Sequence, residues 1–297
     1  LRSQHKARLE AELKRLHADI TVSVWRQEAS FLPDLKDGSR KVLELHTSKF
    51  APVRMYPVGS KLKRQFGHLR VVIQERVAAR YDRFVILTHE EKPFWKGFSN
   101  LSVIPNPLSF KPQKRADASA HRVMIAGRME YVKNFPELLQ IWARVAPDFP
   151  DWQLHIYGDG WMLDALKNKA DVLGIAPQVI FEGAVSDMET AYASSSIYVM
   201  TSHFEGLPMV LIEAQSVGLP AVSYMCSSGP RDIITDGRDG FLVELYDQET
   251  FAERLRTLMR DEELRRSMGQ AAEEASHRYD LDVIMPQWLS LFNELVK

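Results

Sequence analysis

The spacing of apolar residues changes rhythm along the chain, and those changes sketch a fold. Leu9, Leu13 and Leu16 share one face of a stretch rich in Ala, Lys, Arg and Glu, so residues 1–17 read as an amphipathic helix. Short apolar runs at 20–25, 41–46, 83–88 and 101–104 read as strands, the last ended by Pro105 and Pro107. Residues 61–70, running into Val71-Val72-Ile73, read as a basic helix with some exposed aromatic and aliphatic side chains. A solvated helix face fits them equally well.

From residue 122 the alternation becomes regular. Strands are predicted at 122–126, 152–157, 179–181, 196–200, 221–224 and 240–243, with helices at 136–146, 161–173 and 188–194. A further helix opens at Pro208 and is closed by Gly218 and Pro220, and helices at 251–260, 262–278 and 283–296 complete the chain. Such alternation means an α/β architecture with a parallel, doubly wound sheet. The polar, aperiodic segment 110–120 (FKPQKRADASA) marks a boundary. It divides the chain into a first domain over 1–110, a linker over 111–120, a second domain over 121–278 and a terminal helix over 279–297.

Composition adds limits. At 297 residues and 45% hydrophobic, the chain can build two cores. A single cysteine, Cys226, excludes an internal disulfide and fits a reducing, cytoplasmic compartment, and no apolar run approaches the ~18 residues of a membrane span. The net charge of −1 hides an asymmetry: residues 1–110 carry 20 Lys and Arg against 11 Asp and Glu, whereas 111–297 carry 18 against 28. The basic first part predicts contact with something anionic, either a membrane surface or a phosphorylated partner. Nucleic acid is not indicated, because zinc-finger spacing, RNP-like aromatic motifs and a basic recognition helix are all missing. The chain opens on Leu1 and inside a helix, as a fragment of a longer protein would.

Two strand-loop-helix junctions carry candidate chemistry. In Thr201-Ser202-His203-Phe204-Glu205-Gly206-Leu207-Pro208-Met209-Val210, continuing to Glu213, a sharp loop presents free N–H groups and the positive end of a helix dipole, a natural anion site. Glu205 precedes the helix and Glu213 lies about five residues inside it, so at ~1.5 Å per residue the two acids are too far apart to share a proton. A long ligand with a diphosphate would suit them, and so would a solvated loop acid beside an ordinary helix-face glutamate. In Gly127-Arg128-Met129-Glu130-Tyr131-Val132-Lys133-Asn134-Phe135-Pro136, Arg128 and Lys133 could neutralise a diphosphate, with Asn134 as helix N-cap. Surface ion pairs are the alternative. His46 ends a strand, where open α/β sheets place ligands, although a lone histidine is commonly structural.

Other patterns carry less. Gly158-Asp159-Gly160 lacks the third glycine of a dinucleotide fingerprint. Asp280-Leu281-Asp282 looks like a metal-binding DxD but opens the terminal helix, where acids favour the dipole. The nine histidines show no paired ligand spacing, so no metal site is predicted.

Taken together, these motifs resemble those of the GT-B retaining glycosyltransferases of group 1, family four. Glu205-x7-Glu213 matches the family's E-x7-E motif. Gly127-Arg128 with Lys133-Asn134, Tyr157-Gly158-Asp159-Gly160, Phe181-Glu182-Gly183, Gly218 to Val222 and Asp236 to Val243 follow in the family's order. The resemblance implies two Rossmann-like, doubly wound parallel-sheet domains, the N-terminal one incomplete, with the terminal helix packing back toward it. It implies that Arg128 and Lys133 hold the donor diphosphate and that Gly127 and Asp159, in the matched loops, belong to the donor-binding site. It also implies that Glu213 binds the ribose, that Glu182 and Gly183 lie near the base, and that Glu205 with Gly206, Leu207, Pro208, Met209 and Val210 faces the sugar. Leu45-His46-Thr47 looks like the family's catalytic histidine position, which makes Glu205 and His46 the catalytic candidates.

The implied activity is metal-independent, cofactor-free transfer of a hexosyl unit, with retention, from a nucleotide diphosphate sugar of the UDP type. The implied acceptor is a saccharide or a lipid-linked saccharide of polysaccharide or cell-envelope assembly, handled in the cytoplasm at the inner membrane face. An epimerase or phosphorylase of the same fold, or a non-catalytic scaffold subunit, is the alternative. The chain departs from the family in lacking the opening strand with its glycine-rich loop, and in Met225-Cys226-Ser227-Ser228-Gly229-Pro230, where a more acidic loop is expected.

Overall fold

The computed structural model describes residues 2–56 and 59–296; Leu1 and Lys297, the outer ends of the predicted first and last segments, lie outside the described residues. The chain forms two compact units, one of Leu1–Pro107 with Leu281–Lys297 and one of Leu108–Asp280.

The first unit contains α1 (Arg2–Leu16), β1 (Ile20–Val24), β2 (Arg40–Leu45), α2 (Ala51–Arg54), α3 (Lys61–Ala78), β3 (Arg83–Ile86) and β4 (Leu101–Val103). Its four strands pair in parallel and in sequence order. Side chains alternate across the pleat, so Leu43, Leu45, Phe84 and Ile86 pack with Leu13, Phe31, Val77 and Trp95 on one face. Val42 and Val85 pack on the other face with Ile104. The basic helix runs further than its charged half indicates, to Ala78, because Val71, Val77 and Ala78 continue its buried side.

The second unit alternates β5 (Arg122–Ala126), α4 (Phe135–Val145), β6 (Gln153–Tyr157), α5 (Leu163–Val172), β7 (Val179–Gly183), α6 (Met188–Ala193), β8 (Ile197–Met200), α7 (Met209–Ser216), β9 (Ala221–Tyr224), α8 (Pro230–Ile233) and β10 (Gly240–Val243), followed by α9 (Gln248–Arg260) and α10 (Glu262–Ser276). The sheet is entirely parallel in the order β10-β9-β8-β5-β6-β7. β8 and β9 are buried at every position, as a sheet covered on both faces requires. Helix α9 begins three residues before its apolar pattern, because the Asp247 carboxylate caps it by accepting from the Thr250 N–H. The last helix, α11 (Leu281–Val296), belongs to the first unit, where Ile284, Leu291 and Leu295 pack on Val42 and Val85.

Residues 111–120, read from sequence as a linker, are part of the second unit. The Lys114 N–H donates to Glu189 Oε1 at 2.8 Å, the Ala116 N–H to the Val217 carbonyl at 2.8 Å and the Asp117 N–H to the Ala193 carbonyl at 2.9 Å. The segment has no periodicity because its backbone N–H groups are satisfied by α6 and by the end of α7 rather than within an element of its own. No helix among the described residues is long and apolar enough to cross a membrane.

Candidate functional site

The chain leaves β5 for β6 on one side and returns to β8 on the other, so β5 and β8 are neighbours from which the connections diverge. Open α/β sheets bind ligands at such a switch point, beyond the carboxyl ends of the strands. Here those ends carry the 127–134 and 201–208 loops. The two loops are tied together: the His203 N–H donates to the Val132 carbonyl at 2.8 Å, and Thr201 Oγ1 to the Lys133 carbonyl at 3.1 Å.

Lys133 Nζ lies 2.8 Å from Glu205 Oε1, with only 20% and 12% of the two side chains exposed. The lysine stem runs over Gly127, where an added Cβ would come within 3.0 Å of Lys133 Cε. The loop after β9 closes against the same place. The Glu205 N–H donates to the Ser227 carbonyl at 3.2 Å, Phe204 bridges Ser227, and Gly229 packs under Pro208 and the Gly206 carbonyl. Met209 starts α7, one residue later than the proline predicts, so Pro208 is its N-cap residue. The first N–H groups of α7 have no partner within the helix, and its dipole presents positive charge beside the Lys133–Glu205 pair. Leu207 and Pro208 are buried there, while Gly206, Met209 and Val210 are half-buried.

The two acids of the loop are held separately. Glu213 Oε2 accepts from the Tyr192 hydroxyl at 2.8 Å and Oε1 from Ser109 Oγ at 3.2 Å, while Glu205 is on Lys133. Burial first, then the Tyr198 and Glu213 charges, push the Tyr192 phenol well above its ordinary pKa, so it stays a donor.

Arg128 is not brought to this pair. Its side chain is 77% exposed and reaches Glu130 Oε1 at 3.1 Å. Asp159 is exposed, and its carbonyl accepts from the Met129 N–H at 2.6 Å, while the Gly158 N–H donates to the Gly183 carbonyl at 2.7 Å. The turns after β6 and β7 are thereby stitched to the loop after β5. Glu182 is engaged through its side chain, with Oε1 2.6 Å from His155 Nδ1. Burial lowers the His155 pKa despite that carboxylate. His46 lies in the first unit directly after β2, with Nε2 2.7 Å from Glu44 Oε2 and two-fifths of its side chain exposed.

Asn134 stands at the N-cap of α4 as its residue type predicts, but its side chain does not bond a helix N–H. It adopts a left-handed conformation (φ 53°, ψ 40°), and its Nδ2 donates to Glu137 Oε2 at 2.5 Å. The buried Glu137 carboxylate also accepts from the Tyr224 hydroxyl at 2.8 Å, which fixes the residue next to Lys133. Asn134-x-x-Glu137 has the spacing of a capping box, a signal present in the sequence. The partners of Glu213, 21 and 104 residues away, left none. Among the described residues no group of three His, Cys, Asp or Glu is placed to hold a metal ion.

Residues 109–275 match the family model of the glycosyl transferases group 1. An exopolysaccharide phosphotransferase of Streptomyces coelicolor is 37% identical over 227 residues, which are 74% of this chain and 24% of that protein. The amylovoran biosynthesis glycosyltransferase AmsD of Erwinia amylovora is 33% identical over 222 residues, 71% of this chain and 62% of that one. Among solved structures, TarM of S. aureus, also crystallised in complex with UDP, superposes with a TM-score of 0.81 at 21% identity over 96% of this chain and 57% of TarM. That likeness shows the GT-B fold, with two parallel-sheet units. The chain spans less than two thirds of the length of each of these proteins.

Proposed function

The chain belongs to the group 1 glycosyl transferases, and from that membership we propose that it holds the donor side of a bacterial polysaccharide or cell-envelope transferase. The reaction is metal-independent transfer of a hexosyl unit, with retention, from a UDP-linked sugar to a saccharide or lipid-linked acceptor at the cytoplasmic membrane face. The observation that carries this reading is the half-buried Lys133–Glu205 pair at the switch point, beside the N-terminus of α7.

When donor enters, Lys133 exchanges the Glu205 carboxylate for a phosphate oxygen, and Glu205 is left facing the sugar. Arg128, tied only to a surface glutamate, swings to the same diphosphate. As the bond from the anomeric carbon to the β-phosphate oxygen breaks, charge grows on that oxygen, and Lys133 and the α7 N–H groups stabilise it. The acceptor hydroxyl attacks the same face of the sugar and its proton passes to the departing phosphate. Glu213, already aligned by Tyr192 and Ser109, takes the ribose hydroxyls; the Glu182–Gly183 backbone meets the base, and His46 is the catalytic candidate of the first unit. TarM's complex with UDP favours uridine as the base.

Replacing Lys133 by Ala removes one preorganised charge from the developing phosphate, which typically costs about 10² to 10³ in rate. Turnover of UDP-hexose with a lipid-linked saccharide acceptor is the measurement, and an unchanged rate for Lys133→Ala refutes the assignment. A second reading, transfer of a sugar phosphate, has the name of the Streptomyces relative in its favour. Phosphorus in the glycan product, rather than free UDP, would identify it.

A further inference from the structure

Helix α3 turns one stripe inward and a second, apolar stripe outward. Gly67, Val71, Gln74 and Ala78 are buried against the first unit. Leu62, Phe66, Leu69 and Ile73 repeat the same spacing of four, three and four on the other side, and they are 72%, 63%, 55% and 46% exposed. A globular helix ordinarily has one such stripe, turned to the core. The second one runs about 16 Å along the axis at ~1.5 Å per residue and faces outward.

Cations border it. At ~100° per residue, Lys63 and Arg70 project on one flank of the stripe and Lys61 and Arg76 on the other. The helix has one acid, Glu75, and its carboxylate lies 2.5 Å from Lys49 Nζ. An outward apolar stripe between rows of Lys and Arg is the pattern of a helix lying in a lipid interface: rings and aliphatic chains enter the acyl boundary while long cationic stems reach the phosphates. Protein interfaces are depleted in lysine, which argues against a protein occupant.

We propose that α3 seats this protein on an anionic phospholipid bilayer through Leu62, Phe66, Leu69 and Ile73, with Lys61, Lys63, Arg70 and Arg76 on the headgroups. The contact is independent of the donor site, so it needs neither nucleotide nor acceptor; it rests on the proposed membrane-face location, and its failure removes that location while leaving the transfer chemistry to its own test.

The test is flotation of the protein with phosphatidylcholine vesicles with and without phosphatidylglycerol. Binding is expected only to the anionic vesicles and should fall at least tenfold as salt rises from about 0.1 to about 1 M. Leu62→Glu with Phe66→Glu should abolish it. Because these side chains are already in solvent, melting temperature should not move, and transfer to a water-soluble acceptor should persist. As a second readout, Phe66→Cys labelled with a polarity-sensitive dye should brighten on anionic vesicles; the native thiol, Cys226, is buried and escapes labelling. Equal binding to neutral vesicles, no salt dependence, or no loss in the double variant overturns the proposal. So does a dimer dispersed by the same two substitutions, since the stripe would then cover a second copy.

Discussion

Replacing Gly229 by Ala tests whether the loops around Glu205 are locked by backbone contact. Gly229 has φ +102°, and a Cβ there would sit 2.3 Å from Pro208 Cδ and 2.9 Å from the Gly206 carbonyl oxygen. Neither obstacle is the free end of a flexible side chain; one is a rigid ring, the other main chain. Left-handed helical backbone costs a non-glycine residue about 1 to 2 kcal/mol, the Gly229 conformation with ψ −50° costs at least that, and forcing a methyl into packed surroundings adds about 1 to 3 kcal/mol. Gly237 supplies the control, with φ +75° and nothing within 4 Å of its Cβ position. Gly237→Ala should therefore lose only the conformational part. For a domain of this size each kcal/mol lowers the melting temperature by about 2 to 4 °C. Gly229→Ala should thus melt a further 2 to 12 °C, roughly, below Gly237→Ala in parallel thermal scans. Its turnover should fall more as well, since the clash pushes Gly206 and Pro208, and with them the start of α7, away from Lys133. Equal melting temperatures would refute the argument, because the loops would then yield to a methyl group without cost.

Other substitutions probe the remaining parts of the site. Tyr224→Phe removes one of two donors to the buried Glu137 carboxylate, and a bond to a charged group contributes about 1.5 to 3 kcal/mol; a denaturation midpoint within error of the parent would show that solvent already satisfies Glu137. Arg128→Ala should leave melting unchanged in the absence of ligand, since an exposed pair contributes little, yet it should shrink the stabilisation that the proposed donor reading expects from UDP; an undiminished shift would exclude Arg128 from the diphosphate. Burial holds the His155 and His203 pKa values below the ordinary ~6.5, so the folded state disfavours their charged forms; their contribution is fully present above that pH and lost as pH falls through and below it. Melting temperature should drop on going from about pH 8 to about pH 5, and less steeply in His155→Gln; parallel pH profiles would show that His155 is not the group responsible.

Much of this protein is written in local sequence. Apolar runs of strand length, helical spacing between them, Pro136 just inside α4 and Gly218 after α7 locate the elements to within a few residues, because each depends on contacts between near neighbours. Glu205, Lys133 and the α7 loop could be singled out for the same reason: a strand end, a turn and a helix start form one continuous stretch. Local signals failed where a partner lay far off in the chain. Segment 111–120 reads as a linker, yet its N–H groups are satisfied by Glu189, Ala193 and Val217. Arg128 and Lys133 look equivalent in one loop, but the lysine stem lies over Gly127 toward Glu205 while Arg128 extends into solvent.

Only the tertiary structure decided the strand order, and with it the site. Placing β8 beside β5 brings together residues 72 apart in sequence, Lys133 and Glu205, and the same packing puts Tyr192 and Ser109 on Glu213. Periodicity shows which face of an element seeks burial and is silent about which element will cover it. That choice follows from how whole hydrophobic faces fit together, and here it also determines which charges meet.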